Sequence, residues 1–247
     1  MMNSNITLGY NLDDWNFYEE KTAISTDISK TANSHILICG MSGSGKSYFE
    51  NQLFARLIKH EPTGEFYFSD YKGEDTFSFM RDCTRYYSYN QTLDCLNTVY
   101  ERFNARKSGT DKTRNPITLI WDEYIANILA LLSEDKKLAE KVMRQVGEIL
   151  MMGRSLAVRI IVSCQRPDAV AFPVGSRLNY GIIVVLGAYN RAVYEMLMPD
   201  YIDKIKCREF QRGEGTLLLQ GSQLHFIKVP QVKNIEAMNG LCLKALL

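Results

Sequence analysis

No sign of charge dominates this chain of 247 residues, whose formal net charge is +1. A broad field toward a polyanion is therefore absent, and any nucleic-acid contact must come from a local patch, as in a ring that needs positive charge only along its channel. Long hydrophobic runs are missing too. The longest, GIIVVLGA near 181–188, falls far short of the ~20 residues a membrane span requires. The opening MMNSNITLGYNLDDWNFYEE has neither the basic nor the apolar region of a secretory signal. These absences predict a soluble, cytoplasmic protein that reaches a membrane only peripherally, through a partner. None of the six cysteines (39, 83, 95, 164, 207 and 242) forms a C-x-x-C pair or lies beside a histidine cluster, which argues against zinc and for reduced thiols. Cys39 and Cys164 fall within apolar runs and read as small core residues. Internal repeats and low-complexity tracts are lacking.

What is present is an ordinary globular composition, 46% hydrophobic and 23% charged, in a length suited to one large α/β domain. Polar and aromatic residues up to about 33 include NITLGY and TAIST, which read as an edge hairpin. HILICG is a buried strand, and KSYFENQLFARLIKH an amphipathic helix with Phe49, Leu53 and Leu57 on one face, ended by Pro62 and Gly64. EFYFSD is a second strand. Leu93, Leu96, Val99, Tyr100 and Phe103 then recur at helical spacing. PITLIWDE is a third strand, followed by a long helical region in which Leu138, Val142, Val146 and Ile149 share a face. AVRIIVSC and GIIVVLGA are further buried strands, and TLLLQGSQLHFIKV reads as a closing hairpin turning at Gly221-Ser222. Continuous apolar strands alternating with helices predict an α/β fold with a mostly parallel sheet covered on both faces, its chemistry at the carboxyl ends of the strands.

HILICGMSGSGKS holds the most specific pattern. Gly40, Gly45, Lys46 and Ser47 satisfy G-x-x-x-x-G-K-S between a strand and a helix, so Gly40, Met41, Ser42, Gly43, Ser44, Gly45, Lys46 and Ser47 form a candidate phosphate cradle. Glycine lets backbone N–H groups turn inward, Lys46 reaches the outer phosphates, and Ser47 offers a hydroxyl to Mg²⁺. The helix that follows aims its positive end at the same anion. ATP and Mg²⁺ are the expected ligands. ITLIWDEY supplies the second half: Asp122 at a strand end is the metal-side carboxylate, and Glu123 is placed to polarise a water for attack on the γ-phosphate. The alternative for Glu123 is an N-cap or first-turn carboxylate favoured by the next helix's dipole.

FYFSDYKGED, with Asp70, Lys72 and Gly73 at a strand end, GRSLAVRIIVSCQRPDA and NRAVYEML, together with the phosphate motif and WDEY, resemble the FtsK/HerA superfamily of DNA-pumping ATPases. The resemblance spans roughly residues 26–230 and is nearest to FtsK/SpoIIIE-like and type IV coupling proteins of Gram-positive mobile elements. Tyr71 stands where that family usually has proline. The resemblance implies a RecA-like P-loop motor domain over 34–235, flanked by an extension (1–33) and a tail (236–247). It further implies Gln165 as the polar sensor of the γ-phosphate, Arg154 as an arginine finger for a neighbouring subunit, and a homo-oligomer, a hexameric ring. Arg154 could instead complement a helix end, and Arg166 and Arg191 are rival fingers.

For DNA, ARKSGTDKTRNP gathers Arg106, Lys107, Lys112 and Arg114 in one loop, a candidate phosphate contact with no base reading. Its alternative is a solvated charged face. DKIKCR at 203–208 is a second candidate. Neither the membrane segment that usually precedes the family's motor nor a winged-helix module after it is found, so the expectation is a minimal motor core whose relaxase or membrane-channel partners are other chains. The reading is an ATP-driven DNA translocase supporting conjugative transfer. The alternatives are a viral genome-packaging ATPase, a P-loop kinase, and a nucleotide-gated interaction module.

Overall fold

Strands apolar on both faces need cover on both sides, and the sheet has it. The computed structural model describes residues 5–28, 34–172 and 179–247. Its strands are β1 (Asn5–Asn11), β2 (Ala23–Asp27), β3 (Ile36–Gly40), β4 (Glu65–Asp70), β5 (Tyr86–Ser88), β6 (Ile117–Asp122), β7 (Val158–Cys164), β8 (Ile182–Leu186), β9 (Glu214–Leu219) and β10 (Gln223–Lys228). They form one sheet in the order β2-β1-β10-β9-β8-β3-β7-β6-β4-β5. From β8 to β5 every pairing is parallel. From β8 through β9, β10 and β1 to β2 every pairing is antiparallel. The edge hairpin of the first residues is thus β1–β2, joined to the main sheet where Tyr10 pairs with Lys228.

Successive residues of the central strands serve opposite cores. Leu37, Cys39, Leu119, Trp121, Ile160 and Val162 pack into one, and Ile36, Ile38, Phe66, Phe68, Ile120 and Ile161 into the other. Helix α1 (Leu12–Phe17) is short and caps the end of β1. Helix α2 (Lys46–His60) covers the second core with Phe49, Leu53 and Leu57. The first core is covered by α3 (Thr92–Lys107), α4 (Tyr124–Glu134), α5 (Lys136–Met152), α6 (Arg191–Leu197) and the single-turn α7 (Ile202–Ile205). The long helical region is two helices because Asp135 leaves helical geometry and its carboxylate accepts from Leu138 N–H at 3.0 Å, capping α5.

The segment expected as a tail is folded. Helix α8 (Ile235–Leu246) buries Met238, Cys242 and Leu246 on the α2 side of the sheet. Its last turn is tied down where Leu246 O accepts from Arg85 N–H at 3.0 Å and from the Thr84 hydroxyl at 3.1 Å. Burying a leucine fully is worth about 1.5–3 kcal/mol, so α8 is part of the second core rather than an appendage.

Parallel pairing sets all the active loops on one edge. Cys39 lies opposite Cys164 and Asp70 opposite Asp122, so the turns after β3, β4, β6 and β7 emerge side by side. The other edge is structural. There Arg159 and Glu61 form a buried two-point ion pair, both bonds 2.8 Å. Beside it His35 Nδ1 accepts from Ile160 N–H at 3.1 Å. Burial, and then the Arg159 charge, hold this imidazole neutral with its pKa pushed down to about 3.

Candidate active site

The turn after β3 closes because two positions carry no Cβ. Gly45, which caps α2, has a φ of 97°, a conformation other residues rarely adopt. A Cβ on Gly40 would lie 2.4 Å from Ser44 Oγ, so that close approach also requires glycine. The loop is braced from the hairpin side, where Gly213 N–H donates to Ser44 O at 2.8 Å.

Lys46, in the first turn of α2, is buried and faces the end of β6. Its ammonium lies 2.5 Å from Asp122 Oδ1, 3.1 Å from Glu123 Oε1 and 3.4 Å from Ser163 Oγ. Burial works against this charge, but the carboxylates of Asp122 and then Glu123 outweigh it and raise the pKa above the usual lysine value. Ser163, on β7, also donates to Asp122 Oδ1. Glu50, one turn along α2, is fully buried, and neither of its oxygens has a hydrogen-bond partner. Burial and then the Asp122 charge push its carboxyl well above the usual range, so it is the neutral acid of the group.

The carboxylates of Glu74, Asp122 and Glu123 each bring an oxygen within 4.8 Å of the others. Ser47 Oγ donates to Glu74 Oε2 at 3.1 Å, which draws the hydroxyl into the same cluster. Asp122 Oδ2 is buried and has no protein partner. An all-oxygen set with one uncommitted buried carboxylate oxygen suits a hard divalent cation, and Mg²⁺ fits it. The expected pair Ser47 and Asp122 therefore comes together, and Glu74 joins them. Sequence reasoning missed Glu74. Its only signal was an acidic residue four positions past a strand end in SDYKGE.

Glu123 is 2% exposed and sits at φ 56°, ψ 37°, a left-handed conformation rare outside glycine. Such strain persists only where surrounding contacts enforce it. Here Lys46 holds one carboxylate oxygen and Lys72 the other, at 3.1 and 3.2 Å.

Met41, Ser42, Gly43, Gly45, Lys46 and Ser47 line a cleft of about 270 Å³ together with Glu74, Gln165 and Arg212. Gln165 leaves the end of β7 into this cleft, beside the phosphate loop as expected. Arg212, from RGEG, was given no role by sequence. A second cleft of about 390 Å³ shares Gly45, Tyr48 and Arg212 with the first and is walled by Val229, Val232 and Ile235.

Other expected residues lie elsewhere. Arg154 is exposed in the turn before β7 and lines a cleft with Ser34, Glu61 and Arg114 at the amino-terminal edge of the sheet. The seven residues of β7 separate it from Gln165, a span of roughly 20 Å, so it does not reach its own phosphate loop. Arg191 instead pairs with Glu195 at 2.7 Å along α6.

Arg106 is a correction. Rather than projecting toward DNA, its guanidinium is fully buried at the end of α3. It donates to Leu156 O, Ala157 O and Asn115 O at 2.8, 3.1 and 2.9 Å, and to Asp111 and Thr113 side chains at 3.2 Å each. Five donors are consumed in closing the loop, so none is left for phosphate. Lys107 pairs with Glu148 at 3.1 Å, while Lys112 and Arg114 are exposed. From DKIKCR, Lys206 bonds Asp203 at 2.6 Å, and Arg208 holds Asp13 at 2.5 and 2.9 Å.

Comparison with known proteins bears on the family and the fold. The FtsK/SpoIIIE family model matches residues 17–101. The FtsK domain-containing protein YdcQ of Bacillus subtilis (strain 168) is 25% identical over 223 residues, covering 84% of this chain and 45% of that protein. The chain thus spans about half the length of this relative. Among solved structures, the pCW3 conjugation coupling protein TcpA, in monomer form with ATPγS, superposes with a TM-score of 0.72 at 16% identity, over 97% of this chain and 70% of that one. The genome packaging NTPase B204 from Sulfolobus turreted icosahedral virus 2, in complex with AMP, gives 0.55 at 14% identity, over 81% and 100%. Identities this low carry the fold alone. The likeness to FtsK/SpoIIIE proteins read from the motifs is borne out, and with it the P-loop ATPase sheet.

Proposed function

We propose that this chain, an FtsK/SpoIIIE-like P-loop domain, hydrolyses ATP and uses the cycle to move DNA as part of a homo-oligomeric ring, a hexamer supporting conjugative transfer. The observation that carries the reading is the convergence of Lys46, Ser47, Glu74, Asp122 and Glu123 at one strand edge, opening into the cleft that Gln165 lines. A kinase needs a second pocket for its acceptor, whereas a buried carboxylate directly after the metal-side Asp122 supports attack by water. The adjoining apolar-walled cleft is of a size and character to take the base and ribose.

In this mechanism the phosphate loop and the α2 N-terminus bind the triphosphate, and Lys46 moves its charge between the carboxylates and the outer phosphates. Ser47 and Asp122, with Glu74, would hold Mg²⁺, which when bound would supply positive charge to the phosphate oxygens. Glu123 orients a water and takes its proton as the water oxygen bonds to the γ-phosphorus and the bond to the ADP oxygen breaks. Gln165 reports the γ-phosphate. Arg154 acts on the nucleotide of an adjoining copy, since its own lies at the opposite edge of the sheet. Lys112 and Arg114 are the remaining cations of the DNA-facing loop.

No helix among the described residues is long and apolar enough to cross a membrane. The relatives leave packaging of a viral genome as the second job for the same motor, since B204 is matched over its whole length. The test is ATP hydrolysis with and without DNA across protein concentration: both DNA and assembly should raise the rate per subunit. A rate indifferent to both, with phosphate passed to a small acceptor, would mark a kinase instead.

A further inference from the structure

The turn after β4 contains a lysine that the hydrolytic scheme leaves unused. Asp70, buried at the strand end, accepts from Gly73 N–H at 2.8 Å and from the Tyr86 hydroxyl at 2.7 Å, which closes the turn and fixes Lys72 at its tip. The Lys72 side chain is 37% exposed, yet its ammonium lies 3.2 Å from Glu123 Oε2, a carboxylate that is itself 3% exposed. It is therefore reachable from solvent and in contact with the proposed base at once. An aromatic ring and a second cation stand exposed beside it. Tyr89, 56% exposed, lies against Gly73 so closely that a Cβ there would meet its hydroxyl oxygen at 2.3 Å. Arg81, also exposed, donates to Gly73 O at 2.9 Å. Asp75 beside it pairs with Arg81 at 3.6 Å and removes part of that charge. Lys72 is then the cation of this turn that is linked directly to the catalytic carboxylate.

We propose that Lys72 is a brake on Glu123 that a polyanion releases. With Lys46 on one oxygen and Lys72 on the other, both oxygens of Glu123 are occupied by cations, which keeps them from a water and fixes the residue in its left-handed conformation. Backbone phosphates at the 71–74 turn compete for Lys72, while the Tyr89 ring offers a stacking face for a base. Losing one cation frees an oxygen of Glu123 to accept the proton of the attacking water. DNA engagement and hydrolysis would then be coupled within one subunit, in addition to any coupling between subunits. This inference rests on the translocase reading.

The experiment compares wild type, Lys72→Gln and Lys72→Arg in ATP hydrolysis with and without duplex or single-stranded DNA, at protein concentrations where assembly is complete. DNA affinity is followed in parallel by fluorescence anisotropy across salt. Lys72→Gln should raise the DNA-free rate roughly fivefold, the effect of losing one partly exposed charged hydrogen bond. It should also bring the stimulation ratio close to one. Lys72→Arg should restore stimulation. The slope of log affinity against log salt should fall by about one in Lys72→Gln. If DNA stimulates wild type and Lys72→Gln equally from the same starting rate, the brake is refuted and the motor stands. If wild type itself is not stimulated, motor and brake fall together.

Discussion

Truncating Arg106 to alanine separates a structural arginine from a DNA ligand. The guanidinium makes five hydrogen bonds, three of them to main-chain carbonyls of residues 115, 156 and 157. Those carbonyls lie where the loop before β6 meets the turn before β7, and Arg106 is their shared donor. Its bonds to Asp111 and Thr113 lie nearer the surface, and water can replace much of them. Truncation leaves Leu156 O and Asn115 O without this donor, while Ala157 O keeps its bond from Ile117 N–H, and at about 1–3 kcal/mol for each unpaired carbonyl the cost is about 3–5 kcal/mol. For a domain of this size each kcal/mol moves the midpoint of thermal unfolding by about 2–4 °C, so Arg106→Ala should melt about 10 °C lower. Calorimetry or a urea titration reads the loss, and DNA affinity measured well below the melt should stay near wild type. Replacing Lys112 and Arg114 together should do the reverse: unchanged melting, weaker DNA binding, and a salt slope smaller by about two. An Arg106→Ala protein that melts within about 2 °C of wild type but loses DNA affinity would overturn the assignment.

Lys46→Ala should abolish ATP binding in equilibrium dialysis, whereas Glu123→Gln should bind ATP normally and turn over at least a hundredfold more slowly. Arg154→Ala should lower hydrolysis in the assembled state while leaving nucleotide affinity of the isolated subunit unchanged; equal turnover would remove it as the finger. Folded His35 has a pKa lowered to about 3 against 6.5 when unfolded, so the unfolded chain takes up more protons as pH drops below 6.5 and stability is lost in that window. Comparing wild type with His35→Asn in urea titrations between pH 6.5 and 4.5 should show the variant's slope smaller by up to about 1.4 kcal/mol per pH unit. Glu50→Gln, which keeps both volume and neutrality, should melt within about 2 °C of wild type, whereas Glu50→Lys places a second cation beside Lys46 and should prevent folding.

The central strands were readable because a strand buried on both faces needs apolar residues at every position, and HILICG, ITLIWD and GIIVVL have them. Helix α2 was equally legible, since the phosphate motif marks its first residue and His60 its last. The active edge followed from the strands, because parallel strands with motifs at their ends must present those motifs together. What escaped depended on contacts distant in sequence. In α8, Met238, Cys242 and Leu246 recur every four residues, but Asn239 and Gly240 interrupt the helical signal, and its partner α2 lies far back in the chain. Strand β5 has three residues and depends on β4 for its pairing. Arg106 reads like Lys112 in any charge count, since main-chain carbonyls leave no trace in composition. Glu74 required the fold of the 71–74 turn, which local pattern alone does not specify.

The charge balance explains why these residues occupy one edge. Asp122, Glu123 and Glu74 bring three negative charges together, Lys46 and Lys72 return two, and Glu50, held neutral, adds none. The cluster is therefore left one charge negative, largely buried, with an oxygen of Asp122 lacking a partner. A divalent cation would turn that deficit into an excess of one positive charge, favouring a triphosphate at the phosphate loop. On the proposed function each step would make the next favourable: the metal ion would compensate the carboxylates, the nucleotide would compensate the metal ion and Lys46, and cleavage would return charge to the site as the γ-phosphate departs. Removing Lys72 deepens the initial deficit, so the same substitution that frees Glu123 should also tighten Mg²⁺ binding to the protein without nucleotide. Isothermal titration with Mg²⁺ alone reads that change, and an affinity unaltered in Lys72→Gln would show that Lys72 is electrostatically remote from the cluster despite its 3.2 Å contact with Glu123.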